Sequence, residues 1–233
     1  MITDSQNKLS SKKVHFDSFV SRIEKMILTG ALKPRERLVE AALAEMLGVS
    51  RYLVRDAFKI LEAKGLVTVI PFRGAIVSEL ETSDVEEIFA IRVALEQLAL
   101  KKVADNVTDA DIKVLRSMVG DIESSYNADD ITALSVADTS FHDYVFQLSK
   151  NKTLCRTISD FRNRSHVVRY TAWSSPDVLV QLMKEHRLIV DAIEAKNVAE
   201  IYSLSEAHVT HVKNAYLQRM KVENAFIAGM NEE

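Results

Sequence analysis

Apolar residues in the first third of the chain recur three and four positions apart, in three separate blocks. Phe19, Ile23, Met26 and Ile27 form the first, with Asp17 or Ser18 placed to open a helix and Gly30 to close it. After a turn at Leu32-Lys33-Pro34, Leu43 and Leu47 mark a short helix from Glu40 to Leu47, ended by Gly48. The third block runs from Ser50 to Lys64, with Val54, Ala57, Phe58 and Leu61 inward. The Ser50 hydroxyl can take a free N–H of its first turn, and Gly65 can supply the left-handed residue that ends it. The period then changes. LVTVI (66–70) is dense in β-branched residues, PFRG (71–74) is a turn and AIVS (75–78) is a second short run, which predicts a hairpin. Helix, short helix, glycine turn, helix is the order of a helix-turn-helix, and a hairpin directly behind it is a wing.

From ETSD (81–84), a short linker with an N-cap signal, the periodicity is helical almost to the end. Helices are predicted near 84–104, 109–127, 130–149, 151–172, 176–195 and 197–222, with breaks such as Lys150-Asn151 and Ser174-Ser175-Pro176 between them. The predicted fold class is mainly α. Residues 1–13 are a disordered tail and 14–79 a winged helix-turn-helix with a small two-stranded wing. Residues 80–83 are a linker, and 84–225 an all-α six-helix bundle with its own core.

Composition adds three bounds. Apolar residues make up 47% and charged residues 27%, the balance of a soluble globular protein, and no apolar run reaches the about 18 residues of a membrane span. The opening MITDSQNKLSSKK lacks the apolar core of a signal peptide, and Cys155 is the only cysteine; together these predict a cytoplasmic protein without a disulfide framework. Net charge is −3, but residues 1–80 hold 13 Lys+Arg against 9 Asp+Glu, and residues 81–233 hold 17 against 24. A basic head on an acidic body places an anionic partner at the head.

Arg51 and Arg55 lie four apart at the leading end of the third helix, so both project from one exposed face. A guanidinium fork there suits guanine edges or phosphates in a DNA major groove. Arg73 at the wing tip would meet backbone phosphate or the minor groove. The segment ILTGALKPRERLVEAALAEMLGVSRYLVRDAFKILEAKGLVTVIPFRGAIV, within about residues 14–78, resembles the winged helix-turn-helix of the GntR family of bacterial transcription regulators. The resemblance implies operator contacts from Arg51 and Arg55, with Ser50 and the wing residue Gly74 close to the DNA backbone. Two positions depart from the family pattern. Ala41 stands where an arginine usually follows Glu40, and Tyr52-Leu53 stand where small residues usually follow the first recognition arginine. The groove-facing surface is therefore altered, and Tyr52 joins the candidate DNA contacts.

The bundle holds polar residues on apolar stripes. Leu134, Asp138, Phe141, Val145 and Leu148 form one stripe, with His142 one turn beyond Asp138; His186 lies among Leu182, Ile189 and Ile193, and His208 among Ile201, Leu204 and Val212. Burying such groups unpaired is costly. One aspartate and three histidines from three helices suit a divalent transition metal, with His211 a competitor to His208. IFAIRVALE (88–96), DTSFH (138–142), EHRLIVDAIEAKN (185–197) and AEIYSLSEAHV (199–209) are similar to the all-helical FCD domain of the FadR subfamily. That resemblance implies a metal held by Asp138, His142, His186 and His208, and an organic acid whose carboxylate fills open metal positions. The same ligands serve zinc, nickel and manganese, with zinc taken first. Arg92 is the candidate effector residue, against a plain ion pair with Glu96 at i, i+4. Arg162, Arg164 and Arg169 are further candidates that the sequence does not separate.

The expected function is a homodimeric DNA-binding regulator reading a pseudo-palindromic operator. It is taken as a repressor whose operator binding a small carboxylate metabolite controls through the metal site. Two rivals stand beside this reading. A metal-dependent, hydrolase-like enzyme could activate water, but no separate Glu or His is placed beside the ligands as a general base, and catalysis leaves the basic head unexplained. A purely structural metal without an effector is the other.

Overall fold

The computed structural model describes residues 16–27 and 31–230, with side chains described as far as 222. The tail predicted at 1–13 and the closing Gly30 lie outside the described residues. The chain divides into two compact units, residues 1–79 and 80–233.

In the first unit a helix over 16–27 (α1) precedes a two-residue strand Arg37–Leu38 (β1), helices Glu40–Leu47 (α2) and Arg51–Ala63 (α3), and strands Val67–Ile70 (β2) and Gly74–Val77 (β3). α3 is built as its sequence dictates. Ser50 accepts a hydrogen bond from the Leu53 N–H at 3.2 Å, and Val54, Ala57, Phe58 and Leu61 are its buried residues. Gly48 (φ 69°) and Gly65 (φ 71°) make the left-handed turns on either side. Phe19, Val20, Ile23 and Ile27 of α1 are buried as well, with Leu38, Leu66, Ala75 and Val77 from the strands and the turn before them. The wing is larger than the predicted hairpin, because β1 pairs antiparallel with β3 and gives a three-stranded sheet of order β1-β3-β2. Gly74 is required for that closure. Its φ is 89°, and a Cβ there would stand 2.3 Å from the Leu38 carbonyl oxygen.

Among the described residues the second unit holds seven helices: Thr82–Asn106 (α4), Asp109–Asn127 (α5), Ile131–Gln147 (α6), Lys152–Arg164 (α7), His166–Trp173 (α8), Pro176–Glu194 (α9) and Val198–Met230 (α10). Three expectations are corrected. The linker predicted at 80–83 is not open chain: Leu80 is bonded through its N–H and C=O to the Tyr216 hydroxyl at 3.1 Å each, and α4 begins at Thr82. The helix predicted at 151–172 is broken at Ser165, whose hydroxyl donates to the Phe161 and Arg162 carbonyls at 2.9 and 3.2 Å, giving seven helices instead of six. α10 runs on to Met230, since no glycine or proline interrupts residues 198–228. α4 packs on α10 and α7, α5 on α6 and α9, and α10 also on α8 and α9. Among the described residues no helix is long and apolar enough to cross a membrane.

Candidate functional site

In the first unit a groove of about 590 Å³ runs between the N-terminal part of α3 and the wing. It is lined by Arg51, Arg55, Arg73 and Gly74, together with Arg37 and Lys59. Ser50 and Tyr52 do not line it; Ser50 caps α3, and Tyr52 is 72% exposed on the helix. Arg55 does not project freely. It forks onto Glu40 of α2 through two bonds, Nε to Oε1 at 2.9 Å and Nη2 to Oε2 at 2.6 Å. Glu40 is accordingly held below the usual carboxylate range, chiefly by that hydrogen bond. Arg37 was not foreseen, because β1 gives no periodic signal; its guanidinium donates to the Arg73 carbonyl at 3.4 and 3.3 Å and braces the wing tip.

In the second unit the imidazoles of His142 (α6), His186 (α9) and His208 (α10) converge, each buried, with one nitrogen of each within 4.8 Å of the others. The Nε2 atoms of His142 and His186 are 3.2 Å apart. Two metal–nitrogen bonds of about 2.0–2.1 Å span about 2.9 Å at a right angle and about 3.3 Å at the tetrahedral angle, so the pair is set for one shared ion. Burial pushes His142 well below its ordinary range and His186 down to about 3, with the Arg162 charge acting next on His142 and the His208 charge next on His186. Both rings are therefore neutral and offer a lone pair, the form a metal needs. The donor set fits a borderline divalent cation.

Asp138 stands at the edge of this group. One oxygen, Oδ1, lies 3.6 Å from Nε2 of both His142 and His186. The other, Oδ2, faces Arg162 Nη2 at 3.4 Å and Arg169 Nε at 3.6 Å. Burial alone would raise its pKa; His142 and the two guanidiniums outweigh that and hold it well below the usual range, ionised. Arg92 is buried on α4, donating from Nε to Glu96 Oε1 at 2.9 Å and from Nη1 to Ser165 Oγ at 3.3 Å. It is thus both an ion pair and a neighbour of the break between α7 and α8. The three arginines left open by the sequence separate here: Arg162 and Arg169 point inward, whereas Arg164 is exposed over the Phe161 ring. Burial, followed by the Arg162 charge, lowers Arg169 to about 10.

Sequence reasoning missed Glu185. It is 2% exposed, accepts from or pairs with His208 Nδ1 at 3.0 Å through Oε2, also bonds His211 Nδ1, and accepts from Gln181 at 2.8 Å. The expectation that no further carboxylate stands beside the ligands is corrected, but these partners occupy Glu185, which fixes the His208 ring and leaves its Nε2 toward the group. Its only signal was adjacency to His186 on a helix whose inward stripe passes one position away. The cavity beside His142 and His208 measures about 10 Å³, room for one water-sized body.

Residues 17–77 match the model of bacterial regulatory proteins of the gntR family, and residues 87–211 match the FCD domain. The chain is 29% identical over 205 residues to an uncharacterized HTH-type transcriptional regulator, YdhC, of Bacillus subtilis (strain 168), spanning 88% of this chain and 92% of that protein. It is 31% identical over 179 residues to a probable D-xylose utilization operon transcriptional repressor of Paenarthrobacter nicotinovorans, covering 76% of each. The solved structure of E. coli McbR/YncC superposes with a TM-score of 0.65 at 22% identity, over 88% of this chain and 98% of that one, and so shares the fold. With a gntR-type winged head on an FCD helical domain, the chain belongs to the GntR family of DNA-binding transcription regulators.

Proposed function

We propose that the helical unit is a metal-dependent sensor of a small organic acid and that its state sets operator binding by the winged unit. His142, His186 and His208 would hold a divalent transition ion with Asp138 beside them, zinc first, nickel or manganese as alternatives. The observation that carries this reading is convergence: three buried imidazoles bring one nitrogen each within 4.8 Å of the others, and Asp138 stands between them and two buried guanidiniums, Arg162 and Arg169. Buried arginines suit a carboxylate that forks onto them. On this reading Arg162 and Arg169, with Arg92 behind them, grip the effector's carboxylate.

Ser50, Arg51, Tyr52, Arg55, Arg73 and Gly74 form the DNA-contacting face on this reading. A cytoplasmic homodimer reads a pseudo-palindrome, and the chain represses until the effector binds. A purely structural metal is the second reading, and the about 10 Å³ cavity supports it, since an effector must first open the site. Metal analysis of the purified chain, then thermal shift with a panel of carboxylic acids with and without chelator, decides between them. An acid that raises the melting temperature only with metal present, and weakens DNA binding in a gel shift, supports the sensor. Metal that stabilises without any responding acid leaves the structural reading, and a chain that takes up no metal overturns both.

A further inference from the structure

Among the described residues no large apolar side chain is more exposed than Phe72, at 107%. It sits at the wing tip, third in a turn closed by the Arg73 N–H to the Ile70 carbonyl at 2.9 Å, with Pro71 second. Its φ is 63°. Proline second and a positive φ third is the type II pattern, whose third position ordinarily holds glycine or asparagine. A phenylalanine there is unfavourable twice over, as a bulky residue in left-handed backbone and as a phenyl ring in water. Residues that the fold disfavours, held in place by their surroundings, mark functional positions. The tip is braced: Arg37 bonds the Arg73 carbonyl from below, and Gly74 lies against the Leu38 backbone. Phe72 lines the same groove as Arg51, Lys59 and Arg73, so the charge around the ring fits a polyanion.

We propose that Phe72 is a wedge: with α3 in the major groove, the ring enters the adjacent minor groove, partly unstacks one base step and bends the operator. This rests on DNA binding by the winged unit and adds a specificity element to it. A phenyl ring makes no base-edge hydrogen bond, so it reads deformability. Pyrimidine–purine steps are the easiest to unstack, and the operator carries one at a fixed offset from each half-site.

The test uses the full-length chain and duplexes it selects from a random-sequence library. Phe72→Gly removes the ring while placing at the turn the residue its geometry prefers, so folding is preserved; Phe72→Trp keeps a ring. End-to-end fluorescence transfer reads the bend, and 2-aminopurine at the predicted step reads unstacking. The wild-type chain is expected to bend its duplex by about 20–90° and brighten the probe. Phe72→Gly is expected to bind about ten-fold more weakly or worse, without bend, brightening or step preference, and Phe72→Trp to retain all three. Weaker binding by Phe72→Gly with the bend and probe signal unchanged would reduce the ring to a backbone contact and overturn the wedge, as would no change at all. A wild-type chain that selects no duplex overturns the DNA reading and the wedge together.

Discussion

Asp138→Asn separates two roles that one carboxylate combines. Oδ1 faces the two imidazole nitrogens and Oδ2 the two guanidiniums, and all five side chains are buried. The substitution keeps volume and one acceptor but removes the charge. Breaking a buried pair by deleting one partner costs about 3–5 kcal/mol. The guanidinium contacts, at 3.4 and 3.6 Å, are longer than the about 2.7–2.9 Å of tight charge-assisted bonds, which places this case at the lower end, about 3 kcal/mol. With a urea slope of about 3 kcal/mol/M for a domain of this size, the midpoint should fall by about 1 M. The assay is urea unfolding followed by far-ultraviolet circular dichroism, run first in chelator and then with zinc. In chelator the shift reports the ion pairs alone; with metal it should grow, because a candidate ligand is lost as well. A midpoint unmoved in chelator would refute the assignment of Asp138 as counter-ion to Arg162 and Arg169.

Gly74→Ala should destabilise the winged unit by more than the about 1–2 kcal/mol of a left-handed alanine, because its Cβ would also drive into the Leu38 carbonyl; a melting transition within 1–2 °C of wild type would contradict the obligatory glycine. Arg51→Ala should weaken operator binding by about 1–3 kcal/mol in a fluorescence-anisotropy titration. Arg55→Ala should cost less than Arg51→Ala, since Glu40 holds that guanidinium, and Glu40→Gln should tighten binding by releasing it; equal losses at both arginines with no effect at Glu40 would argue against the clamp. Asp111, bonded by Thr108 at the start of α5 and by Tyr144 of α6, has a lowered pKa, the Thr108 side chain being the leading cause. A lowered folded pKa gives stability that is present above the ordinary carboxylate value and lost as pH falls through the folded one. Thermal denaturation across about pH 6 to 2 should therefore show Asp111→Asn less stable at neutral pH and converging on wild type in acid; parallel curves would show that Asp111 does not titrate with folding.

The parts of this molecule that sequence made legible are those where period, caps and breakers agree. α3 is such a case: Ser50, the Val54–Leu61 stripe and Gly65 all point to one helix, and each does in the structure what its chemistry suggests. The imidazoles of His142, His186 and His208 were visible because each interrupts an apolar stripe, and those stripes converge. Three things were hidden. β1 is two residues long, too short for any alternation. The break at Ser165 has neither glycine nor proline, and α8 is buried on nearly every face, so it shows no amphipathic phase to reset. Glu40 and Arg55 are fifteen residues apart, so their clamp exists only once α2 and α3 pack.

The break at Ser165 has one more consequence. In an unbroken helix the backbones of Arg162 and Arg169, seven residues apart, would stand about 10.5 Å from each other along the axis. Here both guanidiniums close on a single oxygen of Asp138. They sit on either side of the interrupted turn at Ser165, one on α7 and one on α8, so the carboxylate that both face also ties the two helices together across the break. α8 packs in turn on α10, which carries His208, so the clasp at Asp138 and that imidazole share one helix between them.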